Sequence, residues 1–247
     1  MSAMIDPAAY GEAFAAVFDA HLAPEDTDDV VGFLHGCVGS PPARLLELGV
    51  GTGRIARPLV GAGYDVTGVE ASPSMVAALR DRPDGDRVSL LLGDFGLIEL
   101  GGPYDLVYGA DCPLSQLDPR ERVLSCLRRV AASLRPGGWF VCDAFHPSPE
   151  LLDVSRIERE QALAGGARLR TVFEHKTADR IGRGTAVVVT PDGTEHRTPV
   201  IGRYYAPSEL DDLARQVGLK PVRRTGDWSG APFRGEGNYV AAYRRLV

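Results

Sequence analysis

Leu45-Leu46-Glu47-Leu48-Gly49-Val50-Gly51-Thr52-Gly53-Arg54 decides the fold. Arg44 to Leu48 is a short apolar run of the length of a buried strand. The glycines that end it permit a tight turn and let the backbone come close to a ligand. Arg54 to Val60 then reads as a helix, which Gly61-Ala62-Gly63 closes. A strand that turns through glycines into a helix is the opening unit of a parallel sheet covered on both faces. The G-x-G-x-G spacing separates this loop from two others. A dinucleotide fingerprint needs glycine where Arg54 stands, and a phosphate-binding P-loop ends in Gly-Lys-Ser/Thr.

The alternation continues outward. Tyr64–Glu70 reads as a second strand, Pro73–Arg82 as a helix opening at Ser72 or Pro73, and Arg87–Leu92 as a third strand. Tyr104–Gly109 is a fourth strand, Pro119–Leu134 a long amphipathic helix and Trp139–Phe145 a fifth strand. Upstream, Phe14, Val17, Phe18 and Leu22 are spaced for a helix over Ala8–His21, and Asp26-Thr27 open another that reaches Val38. Downstream, Pro149–Ala164 looks helical, and Arg168–Tyr205 alternates as β around a turn at Pro191-Asp192-Gly193. Glu209–Val217 is a further helix, and Lys220–Thr225 and Asn238–Tyr243 read as a closing pair of strands. The expected fold is α/β: a doubly wound, Rossmann-like, mostly parallel seven-stranded sheet with N-terminal helices and an inserted antiparallel β ribbon. The expected parts are a helical lid over 1–40, a ligand-binding core over 41–147, an inserted helix and ribbon over 148–206, and the C-terminal part of the core sheet over 207–247.

The 247 residues carry 33 acids against 27 bases, a formal charge of −6, which disfavours nucleic acid as a partner. Only Lys176 and Lys220 among the bases are lysines, an arginine bias that suggests a GC-rich bacterial genome. Cys37, Cys112, Cys126 and Cys142 form no CxxC pair, so neither a zinc site nor a disulfide framework is expected. His21, His35 and His196 are too isolated to suggest a metal site. Met1 to Tyr10 has no basic segment followed by an apolar run, and no stretch approaches the ~20 apolar residues that span a bilayer. The expectation is a cytoplasmic protein with no membrane partner.

The glycine segment resembles motif I of the class I S-adenosylmethionine-dependent methyltransferases, and later segments keep that register. Val66-Thr67-Gly68-Val69-Glu70-Ala71-Ser72-Pro73-Ser74-Met75 looks like the second-strand motif, and Leu92-Gly93-Asp94-Phe95 like the third. Tyr104–Tyr108 matches the fourth strand and Leu134–Gly138 the turn before the fifth. The resemblance implies S-adenosylmethionine as cofactor and S-adenosylhomocysteine as its product. It implies cofactor-binding roles for Glu47, Gly49, Gly51, Gly53, Arg54, Glu70, Ala71, Met75, Gly93, Asp94 and Phe95. Glu70 would bind the two ribose hydroxyls, Asp94 would meet the adenine amino group, and Phe95 would flank the ring. The chemistry agrees. A carboxylate accepts from a diol in a bidentate arrangement, an acid near the loop suits an ammonium group, and helix N-terminal amides suit a carboxylate. Glu47, Glu70 and Asp94 stand at carboxyl ends of strands, where open parallel sheets bind ligands, although each acid alone also reads as a solvated loop charge.

Methyl transfer is an in-line displacement on an activated carbon, so the protein mainly positions the acceptor. A base is needed only where the acceptor must first lose a proton. Three residues are candidates for the catalytic end. His146 follows the fifth strand and is a base or a wall residue. Tyr10 bonds the methionine end, lines the acceptor pocket or packs. Asp111 orients the acceptor or caps a turn. Asp111-Cys112-Pro113-Leu114 lacks the Pro-Pro-Phe/Tyr pattern of many nitrogen methyltransferases, which speaks against adenine, glutamine or exocyclic base nitrogens as acceptors.

In related small-molecule enzymes the ribbon roofs the acceptor and sometimes makes a dimer. That implies substrate-binding roles for His175, Arg203 and Tyr205, beside Glu174 and Tyr204, and offers a homodimer contact. Arg203 grips an acceptor carboxylate or phosphate, or is a solvated residue, and Trp228 closes the pocket or belongs to the core. The expected reaction is methylation of an N or O atom of a small molecule, a specialised metabolite. The amino terminus of a short peptide is a close variant. Outside this class, the alternatives are a nicotinamide-dependent oxidoreductase and a non-catalytic cofactor-binding module.

Overall fold

In the computed structural model, Arg44–Leu48 is strand β1, and its last four residues are buried. The structure describes residues 6–23, 25–152, 154–176 and 180–246. Met1–Ile5, the start of the expected lid and of the Met1 to Tyr10 reading, lies outside the described residues. Parallel to β1 run β2 (Asp65–Glu70) on one side and β4 (Tyr104–Gly109) on the other. β3 (Ser89–Leu92) continues in parallel beyond β2, and β5 (Leu134–His146) beyond β4. Two antiparallel strands, β11 (Gly237–Arg245) and then β10 (Leu219–Thr225), complete a seven-stranded sheet of order β10-β11-β5-β4-β1-β2-β3. The mostly parallel α/β fold read from the sequence is therefore present. The strand order reverses between β1 and β4, and ligands enter open sheets at the carboxyl ends of strands at such a point.

Both faces of the sheet are covered. α5 (Arg120–Ser133) and α7 (Pro207–Arg215) bury Val123, Leu127, Val130, Leu210 and Leu213 against one face. α2 (Thr27–Val38) and α3 (Ala56–Gly61) bury Val30, Leu34, Leu59 and Val60 against the other. Each such side chain contributes roughly 1.5–3 kcal/mol of transfer free energy, which explains why the helices lie where their apolar stripes meet the sheet. Trp228 belongs to this second core, edge-on to Phe33.

Four local expectations are corrected. The N-terminal helix is α1 (Ala9–Phe14), followed by a π-helical turn at Phe18–Leu22, rather than one helix over Ala8–His21. The helix after the glycine loop starts at Ala56, not Arg54. β5 runs on to His146, because β11 pairs with it as far as Gly237 opposite His146. Within the stretch read as helix, Pro149–Leu152 is helical (α6), but Arg156–Ala162 is strand β6. Its Arg, Glu, Gln and Ala residues favour helices, yet it pairs in register with β7 (Arg168–Lys176) from Arg156–Glu174 to Ala162–Arg168. Cross-strand pairing overrides intrinsic preference here.

β6 and β7 join β8 (Ile181–Val189) and β9 (Glu195–Arg203) in a separate antiparallel sheet of order β6-β7-β8-β9. Its last hairpin turns at Pro191-Asp192-Gly193 as expected, where Asp192 accepts from the Thr190 hydroxyl (2.5 Å) and the Thr194 amide (3.0 Å). Asp118 takes both Arg183 and Arg203, and Glu209 takes Arg180 (3.2 Å) and Arg120 (3.3 Å), which fastens this sheet beside the core. Phe14 and Val17 pack on its Ala186 and Val188. Among the described residues, no helix is long and apolar enough to cross a membrane, and no group of three or more His, Cys, Asp or Glu could hold a metal.

Candidate active site

The carboxyl ends of β1 to β4 open into a cavity of about 550 Å³. Its floor is Leu48, Gly49, Gly51, Glu70, Ala71, Met75, Asp94 and Phe95. Tyr10, Gly11, Phe18 and Leu22 close one side, and Ala110, Asp111, Pro113, Ser115, Gln116 and Arg122 another. The four-stranded sheet and its turns supply the roof through Gln161, Leu163, Leu169, Phe173, Pro199, Val200 and Ile201.

The glycine loop has the conformation its sequence demands. Gly49 (φ +74°) and Gly51 (φ +53°) lie in the left-handed region that favours glycine. The Gly49 and Val50 amides both donate to the Val69 carbonyl at 2.9 Å, which folds the loop back over β2. A Cβ on Gly49 would stand 3.9 Å from the Phe95 ring, and one on Gly51 4.0 Å from the Met75 Sδ. Bare backbone thus leaves a cradle between those two side chains. Gly53 faces away, and a Cβ there would fall 2.3 Å from Leu79, so it packs the loop onto the helix Pro73–Arg80 (α4).

Two acids sit at the strand ends as read. Glu70 accepts amides from Gly51, Ala71 and Ser72, each at 2.9 Å. Burial raises its pKa, and these three bonds oppose the rise. A carboxylate offers about four lone-pair sites, so capacity remains for a diol in the cavity. Asp94 accepts the Gly96 amide at 2.8 Å and the Arg122 guanidinium. The Gly93 amide donates to the Glu70 carbonyl at 2.7 Å, tying the ends of β2 and β3 together outside the cavity lining. Two strand-end acids, a glycine cradle and the apolar Met75 and Phe95 match the donors, acceptors and ring faces of an adenosine bearing an amino-acid tail.

Glu47 and Arg54 lie outside the cavity lining. Glu47 is buried behind the loop, and the Tyr108 hydroxyl donates to it at 2.8 Å. Burial pushes its carboxyl up to about 8, against the Tyr108 bond and the nearby Arg54 charge. In the unfolded chain the group ionises near 4.5. The folded state therefore binds the proton more tightly, and stability falls as pH rises from about 4.5 to about 8. Glu47→Gln should flatten that fall while keeping an acceptor for Tyr108. Thermal melts across this range test it, and an unchanged slope would reject the assignment.

Arg54 bridges Asp26 (2.7 Å) and Asp111 (3.1 Å) with its side chain 11% exposed. It joins the glycine loop to the start of α2 and to the loop after β4. Two carboxylates of the N-terminal segment add to this. Glu12 accepts from the Ser72 hydroxyl (2.6 Å) and from the Ser74 hydroxyl (2.6 Å) and amide (3.1 Å). Asp19 accepts from the Thr52 hydroxyl (2.5 Å) and pairs with Arg82 (2.9 Å). Gly11 lies so close to α4 that a Cβ would fall 2.4 Å from the Ser72 Cβ. None of these N-terminal contacts was legible in the sequence, since each joins residues 33 to 63 positions apart with no local pattern.

Of the three catalytic candidates, Tyr10 and Asp111 line the cavity and His146 does not. Burial, then the charge of Asp111, pushes the Tyr10 phenol up to about 12, so at neutral pH it is a neutral donor. His146 stays at the end of β5, and burial followed by Arg180 lowers its basicity. Asp111 (φ +65°) and Cys112 (φ +55°) are consecutive residues in the left-handed region. The Asp143 carboxylate holds this turn, accepting the Asp111 amide at 3.2 Å and the Cys112 amide at 2.8 Å. Burial pushes Asp143 up to about 7 despite the Cys112 amide, and the Asp111 charge adds to the rise. The sequence reading missed Asp143, although an acid inside the apolar run Trp139–Phe145 is itself a signal.

The ribbon candidates part company. His175 lines a second cavity of about 290 Å³, which Tyr204 shares. Arg203 pairs with Asp118 and lines neither cavity. Tyr205 is buried in the core, where its carbonyl accepts from the Tyr239 hydroxyl at 3.1 Å and burial raises its phenol. Glu174 pairs with Arg156 at 3.6 Å.

Comparison with known proteins agrees with this geometry. The methyltransferase-domain family model matches residues 45–138, from β1 into the start of β5. The solved structure of the CcbJ methyltransferase from Streptomyces caelestis superposes with a TM-score of 0.88 at 30% identity, covering 98% of this chain and 100% of that one. Among curated proteins, a ubiquinone biosynthesis O-methyltransferase of Ruegeria pomeroyi is 26% identical, over 82% of this chain and 73% of its own length. A cypemycin N-terminal methyltransferase of a Streptomyces species is 29% identical, over 76% of this chain and 77% of its own length.

Proposed function

Because the chain belongs to the class I S-adenosylmethionine-dependent methyltransferases, we propose that it methylates a nitrogen or oxygen atom of a small specialised metabolite, with an amine as the best-fitting acceptor. Family membership removes the nicotinamide alternative. When bound, the cofactor supplies a methyl group on a sulfonium, already activated for in-line displacement. Glu70 would hold the ribose, Asp94 the adenine amino group, and Met75 and Phe95 the ring, with the Gly49–Gly51 backbone under the methionine end.

One observation carries the amine reading: the acids Asp6 and Asp111 line the cavity beyond its floor. Tyr10 lines it as a neutral donor, Asp111 is paired with Arg54 and Arg122 with Asp94, and among the described residues neither histidine nor lysine lines the cavity. An amine arrives largely as a cation, and an acidic wall favours its approach. Asp111 accepts an N–H of the acceptor and so directs its lone pair, while Tyr10 donates to an acceptor oxygen or to the methionine end. A phenol or alcohol needs a base to take its proton, and the imidazole of His146 lies elsewhere. The amino terminus of a short peptide presents the same amine, and the cypemycin-type relative supports that variant.

The test is methylation of matched amines, phenols and alcohols, read by mass spectrometry. Amines should be methylated first. Asp111→Asn should lower kcat/KM for them by about 100-fold, with S-adenosylhomocysteine affinity held within about threefold. Preference for phenols would overturn the amine reading. Cofactor binding without turnover of any acceptor would leave a non-catalytic module.

A further inference from the structure

The second cavity shares Gln161, Leu169 and Phe173 with the first, so the two are consecutive chambers under one face of the four-stranded sheet. Strand alternation explains the arrangement: Arg159 and Gln161 on β6, and Leu169, Phe173 and His175 on β7, project to the same side. The inner chamber presents acids, and the outer one presents donors. Arg159 lines it and, among the described residues, has no ion-pair partner, whereas Arg156 on the same strand pairs with Glu158 and Glu174 outside it. His175 Nε2 lies 3.0 Å from the Tyr204 hydroxyl, and among the described residues its buried Nδ1 has no hydrogen-bond partner. Gly182 makes room for this pair, since a Cβ there would stand 3.1 Å from the Tyr204 hydroxyl and 3.4 Å from the His175 ring.

We propose that the outer chamber is a second acceptor subsite for a carboxylate, held by Arg159 with His175 and Tyr204 beside it. The acceptor class is then an amine joined through an apolar body to a carboxylate, with the body lying along Leu169 and Phe173. The proposal rests on the amine reading of the inner chamber. A single guanidinium fork with neutral neighbours matches the two oxygens and single charge of a carboxylate better than a phosphate dianion. The gripping role that the sequence suggested for Arg203 passes to Arg159, because Arg203 is spent on Asp118.

A ladder of straight-chain ω-amino acids, each paired with its carboxamide, titrated calorimetrically into protein saturated with S-adenosylhomocysteine, tests this. At one chain length the acid should bind about tenfold more tightly than its amide. Arg159→Gln should erase that preference, and Arg156→Gln should keep it. Equal binding of acids and amides at every length, or a preference that survives Arg159→Gln, overturns the subsite. Methylation of amides and acids alike would then uphold the amine reading alone. Absence of S-adenosylhomocysteine binding in the starting titration would overturn the cofactor reading beneath both.

Discussion

Replacing Glu70 with alanine should weaken S-adenosylhomocysteine binding by about 100-fold or more. The carboxylate does two jobs. It accepts the amides of Gly51, Ala71 and Ser72, and so fixes the glycine loop against the start of α4. It also keeps the acceptor capacity that a ribose diol requires. Hydrogen bonds to a charged group contribute about 1.5–3 kcal/mol each, and a buried amide left without a partner costs about 1–3 kcal/mol. Even with partial hydration, losing two such interactions passes the 2.7 kcal/mol or so that corresponds to 100-fold. Glu70→Gln should fall between, because the amide keeps one oxygen but turns an NH₂ toward a backbone donor. Calorimetry on both variants, with thermal melts to confirm folding, measures this. A loss below about threefold for the alanine variant would show that the register assigned to the strand-end acids is wrong.

Asp143→Asn should lower kcat by about 100-fold while the cofactor affinity stays within about threefold. Left-handed backbone at non-glycine residues costs of order 1–3 kcal/mol each, and two in succession persist only when the surroundings hold them. Here one carboxylate takes both amides. Asparagine has one acceptor oxygen for two donors, so the turn relaxes and Asp111 leaves the place proposed for it beside the acceptor. The pH profile separates this role from a simple packing defect. Asp143 ionises at about 7, and its charged form is the stronger acceptor, so wild-type kcat should climb as pH rises through that value. Stability runs the other way. The folded pKa lies above the ordinary 3.8, so the contribution is complete below 3.8 and is lost as pH rises through about 7. The asparagine variant should flatten both curves. A variant whose kcat still climbs across pH 7 would assign the titration to another group.

The sheet and its glycine loop were legible because apolar strand runs and left-handed turns leave local marks in a sequence. Glu70, Asp94 and Asp111 could be placed for the same reason, since each ends a recognisable strand or stands two residues beyond one. Residues joined by long-range contact left no such mark. Arg54 was expected among the cofactor-binding residues, yet it lies outside the cavity lining and forms a strut to Asp26 and Asp111. The segment Arg156–Ala162 has a helical composition and becomes an edge strand because β7 lies alongside it. His146 was expected beside the acceptor on the premise that β5 ends at Phe145. It is the last residue of β5, paired with Gly237 of β11, and is not among the cavity-lining residues.

Helix α1 is only six residues long, yet it lies against α4 through Gly11 and Glu12 and against the four-stranded sheet through Phe14. Both half-sites thus lean on one wedge. Any ligand that shifts this helix therefore acts on both the α4 side and the sheet side. Thermodynamic linkage then demands reciprocity: the factor by which the nucleoside tightens the acceptor must equal the factor by which the acceptor tightens the nucleoside.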